Sequence, residues 1–429
     1  MSPLPSSDAS IDATHQSADG PRLGNSGFGS GSRMLRVAFL LPGNGQNWIG
    51  GSNYLGNLLS AVAALPGRTI ETVLLVPPDA DEADVRARFP ADYLVRTPHV
   101  LSRHPLRLAG KLCERLTGRN LPLEWLFARH GIDLVSHTPP AGTRPRTPTL
   151  SWIADFQERH IPAFFSATQL EERAADHRHA ARAARMIVLS SNDALADLKQ
   201  VIPEAASKSR VLQFVSSMKA PQVERSSEAL RAAYAIDGPF FHLPNQFWIH
   251  KNHRVVIDAL TLLRARGRDV TVICTGHTSD YRHPDFFPSI QAHVAASGVT
   301  DLFRIEGLVP YADVSAFLRD SVAVINPSLF EGWSTTVEEA KSSGKRILLS
   351  DIGVHREQAP ERGRYFAPDD AEALATLMVE MLDTHDREAD AVARSQAIAA
   401  LPARLENFAR TYQAIVSEAC ERRATGTGA

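Results

Sequence analysis

The sequence predicts an α/β protein with two Rossmann-like domains that face a central cleft. Short apolar, β-branched runs alternate with helical patterns, which indicates parallel strands covered by helices. This alternation occurs twice, on either side of a polar, proline-containing stretch at residues 216–227 that is typical of a linker. The length of 429 residues suits two domains of ordinary size.

The elements follow in order from these patterns. The first domain is predicted over residues 34–220 and the second over 221–403. Apolar runs place strands at 35–41, 71–76, 132–137, 148–153, 186–190, 210–215, 240–245, 270–276, 305–309, 322–325 and 346–350. Helical patterns fall at 53–65, 82–89, 103–119, 169–184, 192–201, 228–235, 254–266, 335–343, 369–384, 388–401 and 404–421.

Composition narrows the classes of protein. Residues 1–33 are rich in Ser, Gly, Asp and Pro, which predicts a disordered tail, and they lack the apolar core of a signal peptide. With a formal charge of -2, the protein has no net positive potential that would attract nucleic acid. The 3 cysteines are scattered and suit a reducing compartment, and no apolar run approaches the ~18 residues of a membrane span. We therefore expect a cytoplasmic protein with no nucleic-acid partner.

The stretch from Pro327 to Ala340 carries the strongest functional signal. It forms the loop and helix of a β-loop-α-β unit, so the loop lies at the carboxyl edge of a parallel sheet. Gly332 lets the backbone approach a ligand closely. The hydroxyl and N–H groups at the start of the helix favour a phosphate, and they belong to Ser334, Thr335 and Thr336. Glu331 and Glu339 would repel a phosphate but suit vicinal hydroxyls. A nucleotide sugar fits this combination, and an acidic, well-capped surface helix is the alternative.

Four ordered blocks resemble one known family. The segments Phe330–Ala340, Ser350–Gln358 with Tyr365–Pro368, Asn245–His253 and Trp152–Gln157 are similar to those of retaining GT-B glycosyltransferases, especially glycosyltransferase family 4. The similarity extends roughly over residues 36–410. It implies the GT-B architecture, with the acceptor on the first domain, the nucleotide sugar on the second, and a helix at 404–429 that crosses back to the first domain.

The resemblance also implies roles for individual residues. Lys251 would hold the diphosphate, Glu331 the transferred sugar and Glu339 the ribose diol. The other donor-side residues would be Asn245, Gln246, Leu308, Val309 and Gly51, with the backbone of Leu308 and Val309 at the nucleobase. The family usually has an arginine where this sequence has Gln246.

A second departure from the family lies in the first domain. Many relatives carry a histidine near the transferred sugar, at the position of Ala154 and Asp155 here. Asp155 is our catalytic candidate in this loop, and His160 is the acceptor-side candidate. Hydrogen bonds that cap the loop are the alternative for both.

Two further motifs have competing interpretations. Asp79 and Asp81 match the metal-binding Asp-x-Asp pair of another glycosyltransferase fold, but they precede a helix, where acidic residues act as caps. We therefore predict no metal and no cofactor. Between 103 and 119, basic residues recur every four positions among leucines. A peripheral contact with the anionic inner face of a membrane is one interpretation, and a solvated helix face is the other.

These observations predict a retaining, metal-independent glycosyltransferase. Its donor would be a nucleotide-diphosphate sugar and its acceptor a glycan or lipid-linked glycan, in bacterial-type surface polysaccharide assembly. One alternative is a nucleotide-sugar 2-epimerase with the same fold. The other is a catalytically silent, nucleotide-binding partner subunit, which the presence of Gln246 and Ala154 leaves open.

Overall fold

The structure, a computed structural model, describes residues 33–41, 49–97, 105–216, 225–280 and 282–421, apart from the side chains of residues 49 and 105–107. The tail predicted at 1–33 lies almost entirely outside this part, as do residues 42–48. From Leu35 onward the chain forms one compact unit. Within the described ranges, no helix combines the length and the apolarity that a membrane crossing requires.

Two all-parallel sheets organise the molecule. The N-terminal sheet has the order β3-β2-β1-β4-β5-β6-β7 and the C-terminal sheet the order β10-β9-β8-β11-β12-β13. The N-terminal strands are β1 Leu35–Leu40, β2 Ile70–Val76, β3 Tyr93–Arg96, β4 Leu134–Ser136, β5 Thr149–Ile153, β6 Met186–Leu189 and β7 Ser209–Val211. The C-terminal strands are β8 Phe240–Leu243, β9 Thr271–Thr275, β10 Phe303–Gly307, β11 Val324–Asn326, β12 Ile347–Ser350 and β13 Gly363–Phe366. We call the two sheets with their helices the N-terminal and C-terminal halves.

Helices cover both sheets. Those of the N-terminal half are α1 Ile49–Ala63, α2 Glu82–Arg88, α3 Pro105–Thr117, α4 Leu121–Arg129, α5 Gln157–His160, α6 Ala167–Ala183 and α7 Asn192–Val201. Those that follow are α8 Ser227–Ala233, α9 His253–Ala265, α10 Phe286–Ala296, α11 Tyr311–Asp320, α12 Thr335–Ser343, α13 Gly353–Gln358, α14 Ala371–Asp383 and α15 Arg387–Glu421. The α/β class and the GT-B architecture are thus confirmed, whereas the domain boundaries remain a prediction.

Strand order determines where each half can bind a ligand. In both sheets the chain starts near the middle, adds two strands on one side and then crosses to the other. The order therefore reverses between β1 and β4, and again between β8 and β11. Ligands bind at such reversals, beyond the carboxyl ends of the strands. The loops after β8 and β11 carry Lys251 and Glu331.

Local signals explain α12, the helix of the acidic stretch. The Ser334 hydroxyl accepts a hydrogen bond from the Val337 N–H and caps the start of the helix. Gly344 ends the helix with a left-handed φ of 64°, as predicted. A Cβ at 344 would lie 2.3 Å from the Ala393 carbonyl oxygen, so glycine is also required for the approach of α15.

The long helix α15 joins the two halves and corrects one prediction. Separate helices were expected at 388–401 and 404–421, but α15 runs through Pro402 without interruption. Proline removes one backbone hydrogen bond and costs about 3 kcal/mol inside a helix. Packing on both sides outweighs this cost: Arg404 binds Glu338 of α12, and Phe408 and Tyr412 are buried in the N-terminal core. The crossing back to the first half is therefore present, on a longer helix than predicted.

Other differences concern elements that the sequence patterns did not reveal. The predictions omitted strands β3 and β13 and helices α4, α5, α10, α11 and α13. Strand β3 shows no clean apolar alternation, and its residues are only partly buried. Helix α1 begins at Ile49 rather than at 53, and β7 is shorter than the predicted 210–215.

Candidate functional site

Lys251 and Glu331 meet at the strand-order reversal of the C-terminal sheet. The Lys251 ammonium donates a hydrogen bond of 2.6 Å to the Glu331 carboxylate, and both side chains are mostly buried, with exposures of 16% and 10%. The Ser328 hydroxyl donates to the same carboxylate oxygen at 2.7 Å. Burial alone would raise the pKa of Glu331, but Lys251 and two nearby histidines lower it below its usual value. The site therefore holds an ionised acid and an ammonium side by side.

A buried polar network fixes the start of α12 behind this pair. The Asn245 amide donates to the Asn326 carbonyl oxygen at 3.1 Å, and the Asn326 amide donates to the Ser334 hydroxyl at 2.7 Å. The Ser334 N–H donates to the Gln358 side chain at 3.1 Å. The Thr336 hydroxyl donates to Asn245 at 3.4 Å.

Part of the predicted phosphate site is used for hydrogen bonds within the protein. The hydroxyl and N–H of Ser334 bind protein groups, so among the three predicted residues the N–H groups of Thr335 and Thr336 fit a phosphate better. The first N–H groups of a helix have no partner within the helix. Thr335 is partly exposed and Thr336 is buried.

Glu339 lies just over one turn into α12 and is partly exposed. Burial of the carboxyl raises its pKa to about 7, against a smaller opposing effect of a hydrogen bond with Ser216. A carboxyl group with a pKa near neutral pH is chemically compatible with the predicted binding of a ribose diol.

We expect Glu339→Gln to stabilise the protein at pH 8 relative to pH 5. The unfolded carboxyl releases its proton near its ordinary pKa, whereas the folded one keeps it up to about pH 7, so wild-type stability falls as pH rises between these values. The stability gap between variant and wild type should widen by on the order of 2 kcal/mol from pH 5 to pH 8 in urea unfolding. The exposed Glu171→Gln is the control; an equal widening there would contradict the assignment.

Gly332 and Asp155 contact each other across the two halves. A Cβ at 332 would lie 2.7 Å from the Ala154 carbonyl oxygen and 2.8 Å from the Asp155 Cβ. Glycine is thus required here for the close approach of the loop after β5, and the predicted approach of a ligand to Gly332 remains a prediction. The Asp155 carboxylate accepts from Arg173 at 2.9 Å and from the Gln157 N–H at 3.1 Å. Asp155 therefore caps its own loop, and no contact in the described residues places its carboxylate against a reacting group.

His160 also lies at the contact between the halves. Its ring is 41% exposed, hydrogen-bonds Asp197 at 2.6 Å and lies 5.0 Å from the Phe330 ring, measured between centroids. Phe330 directly precedes Glu331, so the predicted acceptor-side histidine is close to the acidic loop.

Further contacts hold the halves together. The Trp333 indole donates to the Phe214 carbonyl at 3.0 Å. The Glu357 carboxylate accepts from the backbone N–H groups of Asn192 and Asp193 at the start of α7, at 2.8 and 3.1 Å. An anion from one half thus caps a helix of the other.

The remaining donor-side residues lie at the carboxyl edges of the sheets. Gln246 is partly exposed in the loop after β8, and Leu308 is 68% exposed just after β10. Val309 is partly buried against a small apolar cluster, and Gly51 is buried in the first turns of α1. No contact in the described residues assigns these four a ligand, so their roles remain predictions.

The sequence analysis missed a histidine at the reversal in the N-terminal sheet. His137 follows β4 with a left-handed φ of 58°. Its ring bonds the Tyr54 hydroxyl at 2.6 Å and the Ser136 hydroxyl at 2.7 Å, and burial lowers its pKa to about 3. In the sequence it is the last residue of an apolar run, and nothing in that run marked it.

Asp81 of the Asp-x-Asp pair acts as a helix cap. The Asp81 carboxylate accepts from the N–H groups of Ala83 and Asp84 at the start of α2. The described part of the chain contains no group of three or more acidic, histidine or cysteine side chains arranged for a metal.

Comparison with known proteins identifies the C-terminal half. Residues 243–384 match the family model Glycosyl transferases group 1. A lipopolysaccharide core biosynthesis mannosyltransferase, LpcC from Rhizobium leguminosarum bv. viciae, is 29% identical over 126 residues. That match covers 29% of this chain and 35% of the mannosyltransferase, so the chain spans about a third of the relative's length.

Solved structures match over nearly the whole chain. HepE from Anabaena, in complex with UDP and glucose, has a TM-score of 0.65 at 16% identity and covers 90% of this chain and 100% of its own. A Listeria monocytogenes structure assigned as a UDP-N-acetylglucosamine 2-epimerase has a TM-score of 0.52 at 12% identity, with 91% and 97% covered. At these identities the likeness concerns the fold alone. The chain thus has the GT-B fold, and residues 243–384 within it match the Glycosyl transferases group 1 model.

Proposed function

We propose that the protein is a retaining glycosyltransferase that uses a nucleotide-diphosphate sugar. The observation that carries this proposal is the buried pair of Lys251 and Glu331, located at the strand-order reversal of the matched domain. The acceptor would be a glycan or lipid-linked glycan in bacterial-type surface polysaccharide assembly, as the likeness to a lipopolysaccharide mannosyltransferase suggests. Glycosyltransferase family 4 is the subfamily that we propose, with a cytoplasmic location.

The proposed reaction exchanges one bond at the anomeric carbon. The bond from this carbon to the diphosphate oxygen breaks, and its electron pair leaves with the diphosphate. The acceptor hydroxyl oxygen bonds to the same face of the carbon, and its proton passes to the departing phosphate oxygen. The products are the glycosylated acceptor and a nucleoside diphosphate.

The chain's own groups supply the charge stabilisation that this step needs. The Lys251 ammonium and the N–H groups at the start of α12 stabilise the negative charge that develops on the leaving group. Glu331 binds hydroxyls of the transferred sugar, and Glu339 binds the ribose diol. In this proposal cationic and dipolar groups take the place of a metal.

A donor panel tests the proposal. One nucleotide sugar should raise the melting temperature, because a ligand that binds only the folded state stabilises it by mass action. With that donor and a glycan acceptor, the product should keep the anomeric configuration of the donor, as NMR would show. Inversion of the sugar at C2 without transfer would establish the epimerase instead. Donor binding without any turnover would establish the silent subunit.

We further propose that α3 docks on an anionic membrane. Leu108, Leu112 and Leu116, four residues apart on the helix, are 71%, 59% and 77% exposed. Lys111 and Arg115 are exposed beside them and, with Arg144, line an open groove of about 600 Å³. An exposed apolar stripe flanked by cations suits the interface of an anionic bilayer.

Not all of the predicted basic stripe takes part in this surface. Arg103 and the side chain of Arg107 lie outside the described residues. Arg119 pairs with the buried Glu124, so it stabilises the start of α4 instead.

Leu112→Asp and Leu116→Asp should each weaken membrane binding about tenfold. A leucine side chain that moves from water into an apolar phase gains roughly 1.5–3 kcal/mol, which the charged substitute loses. Pelleting with phosphatidylglycerol-containing vesicles at low salt measures the bound fraction. Ile398→Asp, at another exposed apolar position, is the matched control. Wild-type protein that stays in the supernatant at low salt would contradict the proposed contact.

A further inference from the structure

Charge balance at the proposed donor site requires more than Lys251. The ammonium is paired with the Glu331 carboxylate, so the two together carry almost no net charge. A nucleoside diphosphate carries more than one negative charge, and burying it beside a neutral pair would be unfavourable. Gln246, in the same loop, is uncharged. A second cationic side chain on another loop at this edge of the sheet would add hydrogen-bond donors for the diphosphate to those of Lys251 and α12.

The loop after β9 supplies a candidate, Arg282. Strand β9 is the neighbour of β8, so this loop lies beside the loop of Gln246 and Lys251. The Phe247 N–H donates to the His277 carbonyl at 2.9 Å. A Cβ on Gly276 would lie 2.6 Å from the Asn245 carbonyl oxygen, so the two loops are packed backbone to backbone.

Two aromatic rings and one acid hold the Arg282 side chain. Its guanidinium carbon lies 5.2 Å from the centre of the Trp248 ring and 5.8 Å from that of Phe165, which belongs to the N-terminal half. Its Nε lies 3.5 Å from the Asp280 carboxylate, and the side chain is only 13% exposed. Stacking on rings uses the faces of a guanidinium, whereas phosphate binds along its edge. The two rings therefore fix the plane of the guanidinium.

The charge of Arg282 already acts on the residue next to Lys251. Burial, and after it the positive charge of Lys251, lower the pKa of His250 to about 3. Glu331 opposes this shift, and Arg282 makes a smaller contribution in the same direction as Lys251. His250 precedes Lys251 in the chain, so the charges of the arginine and the lysine both act on this segment.

We infer that Arg282 is the second diphosphate-binding cation of this protein, supplied from the loop after β9 and held by Trp248 and Phe165. This inference rests on the proposed function. Because Phe165 belongs to the other half, the arginine is held in place by both halves at once.

Nucleotide binding by the full chain tests the inference. Calorimetry measures the affinity for UDP, GDP and ADP and for the corresponding monophosphates. The ratio of the two affinities is the preference for a diphosphate. Arg282→Gln should reduce this preference about tenfold or more, while monophosphate binding changes little, since a charge-assisted hydrogen bond is lost. Adding Gln246→Arg to that variant should restore the preference, because it places a cation on the adjacent loop.

Two further variants separate ligand binding from a purely structural role. Phe165→Ala removes one ring but keeps the guanidinium and its nearer ring, Trp248, so this variant should retain most of the diphosphate preference. Arg268→Gln removes an exposed arginine that pairs with Asp383, and it should leave binding unchanged. Melting curves establish that each variant is folded.

The outcomes are distinct. An Arg282→Gln variant that keeps the diphosphate preference overturns this inference alone. Arg282 only joins the halves if two results occur together. Arg282→Gln loses the diphosphate preference without rescue by Gln246→Arg, and Phe165→Ala loses the preference equally. Wild-type protein that binds none of the nucleotides removes the proposed function as well.

Discussion

Lys251→Met is expected to lower the rate of sugar transfer by about 10²–10³-fold, the loss typical of removing one group that stabilises developing charge. Methionine keeps the length of the side chain but not the ammonium that lies 2.6 Å from Glu331. The loss should appear in kcat, because the leaving diphosphate gains charge in the transition state. Steady-state kinetics with the donor from the thermal-shift panel measure it.

Stability must be separated from catalysis in this experiment. Without the ammonium, Glu331 remains mostly buried beside Ser328, which destabilises the fold. The double variant Lys251→Met with Glu331→Gln should regain stability but not activity. Lys199→Met, an exposed lysine on α7, is the control and should retain full activity. A Lys251→Met enzyme with more than a tenth of wild-type kcat would contradict the proposed role.

Arg404→Met is expected to destabilise the protein by about 3 kcal/mol, because it removes one partner of a buried ion pair. The Arg404 guanidinium donates to Glu338 at 2.6 Å, and Glu338 is 1% exposed. Lys341 and Gln358 also donate to this carboxylate, at 3.2 and 3.0 Å. They cannot replace a guanidinium that uses the other oxygen. Urea unfolding at pH 7 measures the loss.

A double variant identifies the cause. Arg404→Met with Glu338→Gln should recover most of the lost stability, since the buried side chain that Arg404 bound is then uncharged. Arg410→Met, which removes an exposed pair with Glu406 on the same helix, should change stability by less than about 1 kcal/mol. If Arg404→Met were as mild as this control, the ion pair would not be what joins α15 to α12.

The parts that sequence predicted well depend on local signals. Ser334 and Gly344 mark the ends of α12 because capping and left-handed backbone are chemistry of one or two residues. The meeting of Lys251 with Glu331 also followed from the sequence, because parallel strands bring their carboxyl ends to one edge. What the residues do with a ligand remains a prediction.

The parts that it missed depend on contacts distant in sequence. No pattern in the sequence selected Arg282 as a candidate. It became one because β9 lies beside β8 and because Phe165 of the other half contacts it. His137 is marked by a left-handed backbone and by Tyr54, 83 residues away in the chain. The helix boundary predicted near Pro402 was wrong, because proline usually ends a helix but tertiary packing stabilises α15 through this residue.

The long helix also bears on how the chain folds during synthesis. Phe408, Tyr412 and Val416 are part of the core of the N-terminal half, yet they follow it by some two hundred residues. The ribosome therefore releases the first sheet long before the side chains that complete its core. We expect a fragment of residues 34–220 to expose apolar surface and aggregate, and a separately supplied 387–421 peptide to rescue it.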